Sequence, residues 1–220
     1  MTFVRSARSL ISLSAKQSVP IVPTIPIPAP SSLITPPRPA DPAAVQVGLE
    51  RWAEQAARCP DQEAATFARE YVEDAAGRAL LEAVFGNSPF LTQALISDLP
   101  FARRLFTDGY DAAFEAELDA IRTELARERD MPRLMARLRV AKRRVALLTA
   151  VADMAGVWDL AQVTGALSRF AETALRLACD HLLVKAAGAG SLILPDPENP
   201  SVGSGLIILA MGKFGARELN

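Results

Sequence analysis

A regular spacing of apolar residues through the middle of the chain predicts that it folds mainly into helices. The clearest pattern runs from Leu134 to Ala155, where apolar positions alternate in steps of four and three residues. Such steps form one stripe along a helix, which packs against neighbouring helices in a bundle. The stripe comprises Leu134, Leu138, Ala141, Val145, Leu148, Ala152 and Ala155. We therefore predict a mainly α fold with a helical domain over residues 45–187.

Residues that start or stop helices divide this domain into segments. Ser88 is the predicted N-cap of a helix that begins at Pro89, and Asp159 is the predicted N-cap of the last helix. Leu99-Pro100 is expected to end the helix that Pro89 begins. The predicted helices are one that Pro60 ends, then 61–74, 76–85, 89–99, 110–130, a basic helix after Pro132, and 160–187. One side of the last helix is expected to be lined by Leu160, Thr164, Leu167, Ala171, Ala174, Ala178 and Leu182.

Prolines and glycines mark the segments outside the helical domain. Nine of the 16 prolines lie between Pro20 and Pro42, a density that forbids helix and predicts a disordered leader over residues 1–44. The leader is basic and serine-rich like a transit peptide. We favour an unstructured extension of a bacterial enzyme, and a proline-rich ligand for a partner domain is a further alternative. Residues 188–204 are a predicted linker loop.

Two consecutive helices carry opposite charge. Acidic residues dominate 110–130, and six cations follow: Arg133, Arg137, Arg139, Lys142, Arg143 and Arg144. Antiparallel packing would place ion pairs at the rim of such a helix pair. The basic helix could instead bind phosphate or RNA, but no aromatic residue lies between its cations. A solvated or partner-facing surface is the preferred interpretation.

Composition argues against several classes of function. The net charge of -1 gives no general attraction to nucleic acid or to an anionic membrane. Cys59 and Cys179 indicate no disulfide framework, and metal binding lacks a cluster of His and Cys. His181, the only histidine, lacks a catalytic partner in the sequence. Trp52 is assigned to the core.

The last sixteen residues, 205–220, carry the pattern most informative about function. An apolar run from Leu206 to Met211 predicts a buried strand, and a glycine turn and the start of a helix follow it. In that turn Gly212, Lys213 and Gly215 are the candidate phosphate-binding residues. The spacing matches neither a P-loop nor a dinucleotide fingerprint. A plain strand-to-helix turn remains an equal alternative.

The segment Met211-Gly-Lys-Phe-Gly-Ala-Arg-Glu-Leu-Asn220 resembles a family signature, Gly-Met-Gly-Lys-Leu-Gly-Gly-x-Glu-Leu-Asn. The signature belongs to the bifunctional glutamine synthetase adenylyltransferase/adenylyl-removing enzymes. This chain differs from it at Ala210, Phe214 and Ala216. Two further stretches, 84–91 and 139–156, are similar to other parts of the family, so the resemblance covers about 45–220.

The resemblance implies a fold and an activity. The fold would be an N-terminal helical bundle followed by the first strand and turn of a truncated α+β nucleotidyltransferase domain, residues 205–220. The family adds AMP to a tyrosine of glutamine synthetase with one such domain and removes it by phosphorolysis with the other. This chain looks like the N-terminal, deadenylylating copy. Glutamine synthetase and the nitrogen-regulatory PII protein would be its partners, in a bacterial cytoplasm.

The resemblance also implies which groups this chain lacks. The family's signature continues into an Asp-x-Asp pair that binds Mg²⁺ beside ATP or ADP, and no Asp-x-Asp occurs in these 220 residues. We therefore expect no catalytic or metal residue in this chain, weak binding of Mg²⁺ and nucleotide, and no activity by itself. The alternative is a helical protein-interaction module without catalysis. Reading the gene past Asn220 would discriminate the two.

Overall fold

The computed structural model describes residues 35–220, and within that range it contains nine helices and no β-strand. The prediction of a mainly α chain is confirmed. Most of the predicted leader, residues 1–34, lies outside the described residues. The helices are α1 Pro42–Arg58, α2 Gln62–Glu73, α3 Ala75–Asn87, α4 Pro89–Ile96, α5 Leu99–Thr107, α6 Tyr110–Leu125, α7 Met131–Met154, α8 Leu160–Gly188 and α9 Gly212–Gly215.

The first described residues are fixed on helix α3. The backbone N–H of Asp41 donates to the carbonyl of Gly86 over 3.1 Å, and that of Ala40 donates to Asn87 Oδ1 over 3.1 Å. Gly86 permits this approach, because a Cβ there would lie 2.4 Å from Pro39 Cβ. The helical domain consequently begins at Pro42, which lies within the predicted leader.

Short polar side chains cap most of the helices. Ser88 accepts a hydrogen bond from the N–H of Leu91 over 3.2 Å, and Asp159 forms a reciprocal capping box with Gln162. Both predicted N-caps are confirmed. The sequence interpretation was wrong at Pro100, which lies in the first turn of α5 instead of ending a helix. Proline fits that position because the first N–H groups of a helix have no intrahelical acceptor.

The core joins two groups of helices. Helices α1, α2 and α3 contact one another, as do α6, α7 and α8, and α3 and α4 join the groups by contacting α7. Trp52 is 1% exposed at the centre of the first group, so its assignment to the core is confirmed. The α7 stripe is also confirmed: six of its seven members are buried, and Leu138 packs against the core while partly exposed.

The ion pairs between α6 and α7 lie deeper than the predicted rim. Glu117 is 1% exposed and bridges two α7 arginines, with one carboxylate oxygen 2.6 Å from Arg137 Nη1 and the other 3.0 Å from Arg144 Nη1. Each arginine has a second acidic partner, Glu124 for Arg137 and Asp98 for Arg144. Two of the six cations therefore hold α7 against its neighbours, and the interpretation of the basic helix as a solvated surface was wrong for them.

The predicted apolar side of α8 is only partly buried. Thr164 is buried, but Leu160 is 75% exposed and Leu182 is 52% exposed. The buried side chains lie on a slightly rotated face: Thr164, Ala166, Ser168, Phe170, Thr173 and His181. All but His181 belong to the first half of the helix. The second half has only one fully buried side chain, and the chain after residue 196 contacts this exposed stretch.

Candidate functional site

The chain from residue 205 to 220, here called the terminal segment, lies along the middle of α8, beside residues 168–179. The N–H of Leu219 donates to Ser168 Oγ over 3.4 Å, and Arg217 Nη2 lies 3.2 Å from a carboxylate oxygen of Glu172. Just before the segment, the hydroxyl of Ser201 donates to Asp180. These few polar contacts hold the terminal segment on the helical domain.

The predicted strand, residues 206–211, shows the alternating exposure of an extended chain, but it has no strand partner in the described part of the chain. Ile207, Leu209 and Met211 are 78%, 81% and 83% exposed, whereas Leu206 and Ile208 are 50% and 47% exposed. This alternation is the period-two pattern of extended backbone, in which successive side chains point to opposite sides. One side faces α8, and the other leaves three large apolar side chains in solvent.

The predicted glycine turn is itself a short helix, α9. Gly212 has φ +57°, a left-handed conformation that glycine adopts without strain. Gly215 approaches the preceding chain so closely that a Cβ there would lie 2.6 Å from the carbonyl oxygen of Ala210. Both glycines are thus required by the backbone. The helix start predicted after the turn was placed too late, since Ala216 already follows the last residue of α9.

The turn brings the three sequence-predicted site residues together. Lys213 lies between the two glycines, and its Nζ donates to Asn220 Oδ1 over 2.5 Å. Its carbonyl accepts the N–H of Glu218 over 2.7 Å, which closes the turn. Met211 supplies no side-chain cap, and the first N–H groups of a helix have no intrahelical acceptor. Gly212, Lys213 and Gly215 therefore present an exposed cation next to uncapped amides.

Two clefts beside the turn were not predicted from the sequence. The first, of about 330 Å³ and called the arginine cleft here, lies between α6, α8 and the terminal segment. It is lined by Arg122, Arg169, Glu172, Thr173, Arg176, Leu177, Asp180 and Arg217. The second, of about 460 Å³ and called the apolar cleft, shares Glu172, Arg176 and Arg217 with the first. No local pattern joins these residues, because they come from three distant parts of the chain.

The lining of the apolar cleft includes the thiol of Cys179. Burial raises the pKa of its thiol, and the charge of Asp180 raises it further. A raised pKa keeps the thiol protonated at neutral pH, and the protonated form is the less reactive one. Cys59 and Cys179 are both free cysteines. The thiol therefore contributes to the apolar wall of the cleft.

The remaining candidates have structural roles. His181 is 5% exposed, and its Nδ1 lies 3.0 Å from the carbonyl oxygen of Glu128 in the α6–α7 loop.

Residues 35–220 contain no group of three or more His, Cys, Asp or Glu side chains that could hold a metal ion. The described residues thus do not fit a paired Mg²⁺ site. Among the helices of this range, none is long and apolar enough to cross a membrane.

Comparison with known proteins identifies similar sequences. The family model for glutamate-ammonia ligase adenylyltransferase matches residues 78–220. A bifunctional glutamine synthetase adenylyltransferase/adenylyl-removing enzyme from Rhizobium meliloti (strain 1021) is 38% identical over 152 residues, which are 67% of this chain and 15% of the relative. Enzymes of the same name from Mesorhizobium japonicum and Agrobacterium fabrum are 39% and 43% identical over 76% and 59% of this chain.

These matches cover only a small part of the relatives. The chain spans 15% of the Rhizobium meliloti protein, 17% of the Mesorhizobium japonicum protein and 12% of the Agrobacterium fabrum protein. No solved structure matches the chain. The family model includes both the helical domain from α3 onward and the whole terminal segment.

Deleting residues 205–220 is expected to reduce self-association of the purified chain without lowering its melting temperature. The exposed apolar side of the terminal segment and its unpaired backbone favour association between molecules. Light scattering and thermal unfolding of the two chains measure both effects. A matched control replaces only Ile207 and Leu209 with threonine, which removes apolar surface and keeps the backbone. A melting temperature several degrees lower after deletion would show that the segment stabilises the helical domain.

Proposed function

The chain belongs to the glutamate-ammonia ligase adenylyltransferase family, and we propose that it is part of an enzyme that modifies glutamine synthetase. That enzyme would add AMP to a tyrosine of the synthetase and remove it by phosphorolysis, and so regulate nitrogen assimilation. The observation that carries the proposal is the family match over residues 78–220, which ends in the signature at 211–220. The names of the bacterial relatives support both activities.

We assign the chain to the N-terminal, deadenylylating half of such an enzyme, in the bacterial cytoplasm. In this assignment Gly212 and Gly215 shape the turn that approaches a phosphate, and Lys213 supplies a cation to it. The backbone supports the assignment, since φ +57° at Gly212 and the contact of Gly215 with Ala210 require glycine at both positions. The backbone of residues 206–211 would pair with further strands of a nucleotidyltransferase sheet, and other parts of that domain would cover its exposed apolar side chains.

The complete enzyme would use Mg²⁺ and ATP or ADP, and PII protein would regulate it. Mg²⁺ would neutralise phosphate charge, and carboxylate oxygens are the ligands it prefers. The described residues supply no such cluster. The role we assign to this chain is the positioning of a phosphate at the glycine turn. The second candidate function, a helical interaction module, is favoured by the core of α1–α8, which is packed without contributions from residues 205–220.

The adenylylation state of glutamine synthetase in cells tests the proposal. Mass spectrometry of the tyrosine after a shift in nitrogen supply should show no change of AMP occupancy in a strain that lacks the gene. Lys213→Gln is expected to allow addition of AMP and to slow its removal. Arg139→Gln, which removes an exposed cation from α7, is the matched control and should behave as wild type. If AMP occupancy of the tyrosine changed in the deletion strain as it does in wild type, the proposal would be contradicted.

The isolated 220-residue chain is expected to be inactive. Incubated with adenylylated glutamine synthetase, Mg²⁺ and phosphate, it should release no ADP, because it contains no Asp-x-Asp pair. Clear release of ADP would assign the chemistry to carboxylates within this chain, of which Asp196 and Glu198 are the first to replace with amides. Binding to the synthetase without release of ADP would favour the interaction module.

A further inference from the structure

We propose that the arginine cleft binds a phosphate group, either inorganic phosphate or the phosphate of a nucleotide. The cleft is separate from the glycine turn, although Arg217 of the terminal segment lines it and lies two residues after α9. The choice of phosphate over other oxyanions rests on the proposed function, in which phosphate is a substrate of the phosphorolysis that removes AMP. The site itself is inferred from the geometry and the charges that follow.

Four guanidinium groups from three elements meet at the cleft. Arg122 comes from α6, Arg169 and Arg176 come from α8, and Arg217 comes from the terminal segment. Against these four cations the lining contains two carboxylates, Glu172 and Asp180. Guanidinium groups present planar, paired N–H donors that match the oxygens of a phosphate. Two further carboxylates outside the lining, Glu115 and Asp119, pair with Arg169 and Arg122, so Arg176 and Arg217 are the cations left to meet a ligand.

Two of the arginines are held in place by acids outside the cleft. Arg169 donates to both oxygens of Glu115, over 2.6 and 2.9 Å, and its guanidinium lies 5.1 Å from the centre of the Phe114 ring. Arg122 contacts Asp119 over 3.1 Å and the hydroxyl of Thr173 over 3.3 Å. These contacts fix the far wall of the cleft and satisfy part of its charge.

The other two arginines are available to a ligand. The guanidinium of Arg176 has neither a hydrogen bond nor an ion pair with any residue in the range 35–220, and the side chain is exposed. Among the described residues, the side chain of Arg217 pairs with Glu172 alone, and these two side chains are 63% and 68% exposed. Ion pairs between such exposed side chains contribute little, so a phosphate can replace Glu172 as the partner of Arg217.

The second carboxylate of the lining is already engaged. One carboxylate oxygen of Asp180 accepts a hydrogen bond from the hydroxyl of Ser201. The apolar cleft adjoins the site through Arg176 and Arg217 and offers Leu175 and Phe214 to the non-polar part of a larger ligand. A nucleotide phosphate can therefore occupy the arginine cleft while its base lies against apolar side chains.

Calorimetric titration of the purified chain tests this site with inorganic phosphate, AMP and adenosine. We expect saturable binding of phosphate and AMP in roughly the millimolar range, and no binding of adenosine. Arg176→Gln should weaken both by about tenfold, the loss of one charge-assisted hydrogen bond. Arg139→Gln removes the same charge from α7 and should leave binding unchanged. Because Arg176 is exposed, its variant is expected to keep the melting temperature of the wild type.

The outcomes separate this site from the glycine turn. If Lys213→Gln abolishes phosphate binding and Arg176→Gln does not, phosphate binds at the turn, and the inference is overturned while the proposed function is supported. Equal losses from Arg139→Gln and Arg176→Gln would indicate diffuse attraction and would also overturn it. Binding of adenosine as tight as that of AMP, or no saturable binding of phosphate, would exclude a phosphate site in the cleft. If the chain binds phosphate in the cleft but its gene has no effect on glutamine synthetase, only the proposed function would be contradicted.

Discussion

Glu117→Gln is expected to lower the free energy of unfolding by about 3 kcal/mol, one of the two largest losses from a single substitution in this chain. The substitution keeps the shape of the side chain and removes its charge from a position that is 1% exposed. Arg137 and Arg144 would then face a neutral amide in a partly desolvated space. The loss falls at the lower end for buried ion pairs, because each arginine keeps a second carboxylate, Glu124 or Asp98. Urea unfolding followed by circular dichroism measures it.

Glu115→Gln is the matched control for burial. Its carboxylate pairs with Arg169 through two hydrogen bonds, but the two side chains are 49% and 42% exposed. Solvent screens such a pair, so the expected loss is about 0–1 kcal/mol and should vanish at high salt. The loss at Glu117 should persist at high salt. Equal, small losses from both variants would mean that Glu117 does not hold α7 against α6.

The helices could be predicted where the signal is local. The α7 stripe, the Ser88 cap and the Asp159 capping box each depend on residues within one or two turns of one another. Local signals misled at Pro100, since a proline is compatible with both the end of one helix and the first turn of the next. They also misplaced part of the α8 face, because the helical period does not reveal where the partner helices end.

The burial of Glu117 had a signal in the sequence. Phe114, Leu118 and Ile121 form the buried stripe of α6, and Glu117 lies three residues after the first of them on the same face. A charged residue within an apolar stripe indicates a buried ion pair, and the cations of the next helix are its natural partners. The predicted helix 110–130 has six other acids, all exposed or half-exposed, and counting the charge of the whole helix concealed Glu117 among them.

The two parts of the candidate site differ in how far sequence can predict them. Gly212, Lys213 and Gly215 lie within four residues of sequence, so a motif could identify the turn, and the backbone then explained both glycines. The arginine cleft joins residues from 122 to 217, and only the packing of α6, α8 and the terminal segment brings them together. The predicted strand at 206–211 needs neighbours that the described residues do not contain, so its pairing stays a prediction.

Trp52→Ala is expected to destabilise the helical domain by about 3–5 kcal/mol, because it removes the largest side chain of the first core group. Trp52 is 1% exposed, its ring centre lies 6.4 Å from that of Phe85, and its indole N–H donates to the carbonyl of Ala68 over 2.8 Å. Truncation would leave a cavity between α1, α2 and α3 and remove this hydrogen bond. Urea unfolding followed by far-UV circular dichroism measures the loss, since Trp52 itself contributes to fluorescence.

Val47→Ala on the same helix is the matched control. Val47 is 53% exposed, so its truncation leaves no cavity, and the expected change is within about 0.5 kcal/mol. A third variant, Trp52→Phe, keeps an aromatic ring in the core but cannot donate to Ala68, and its loss should lie between the other two. If Trp52→Ala cost no more than Val47→Ala, α1 would not be held against α2 and α3 by this side chain. The burial of Trp52 and its indole hydrogen bond predict that the free energy of unfolding rises from Trp52→Ala to Trp52→Phe to the wild type.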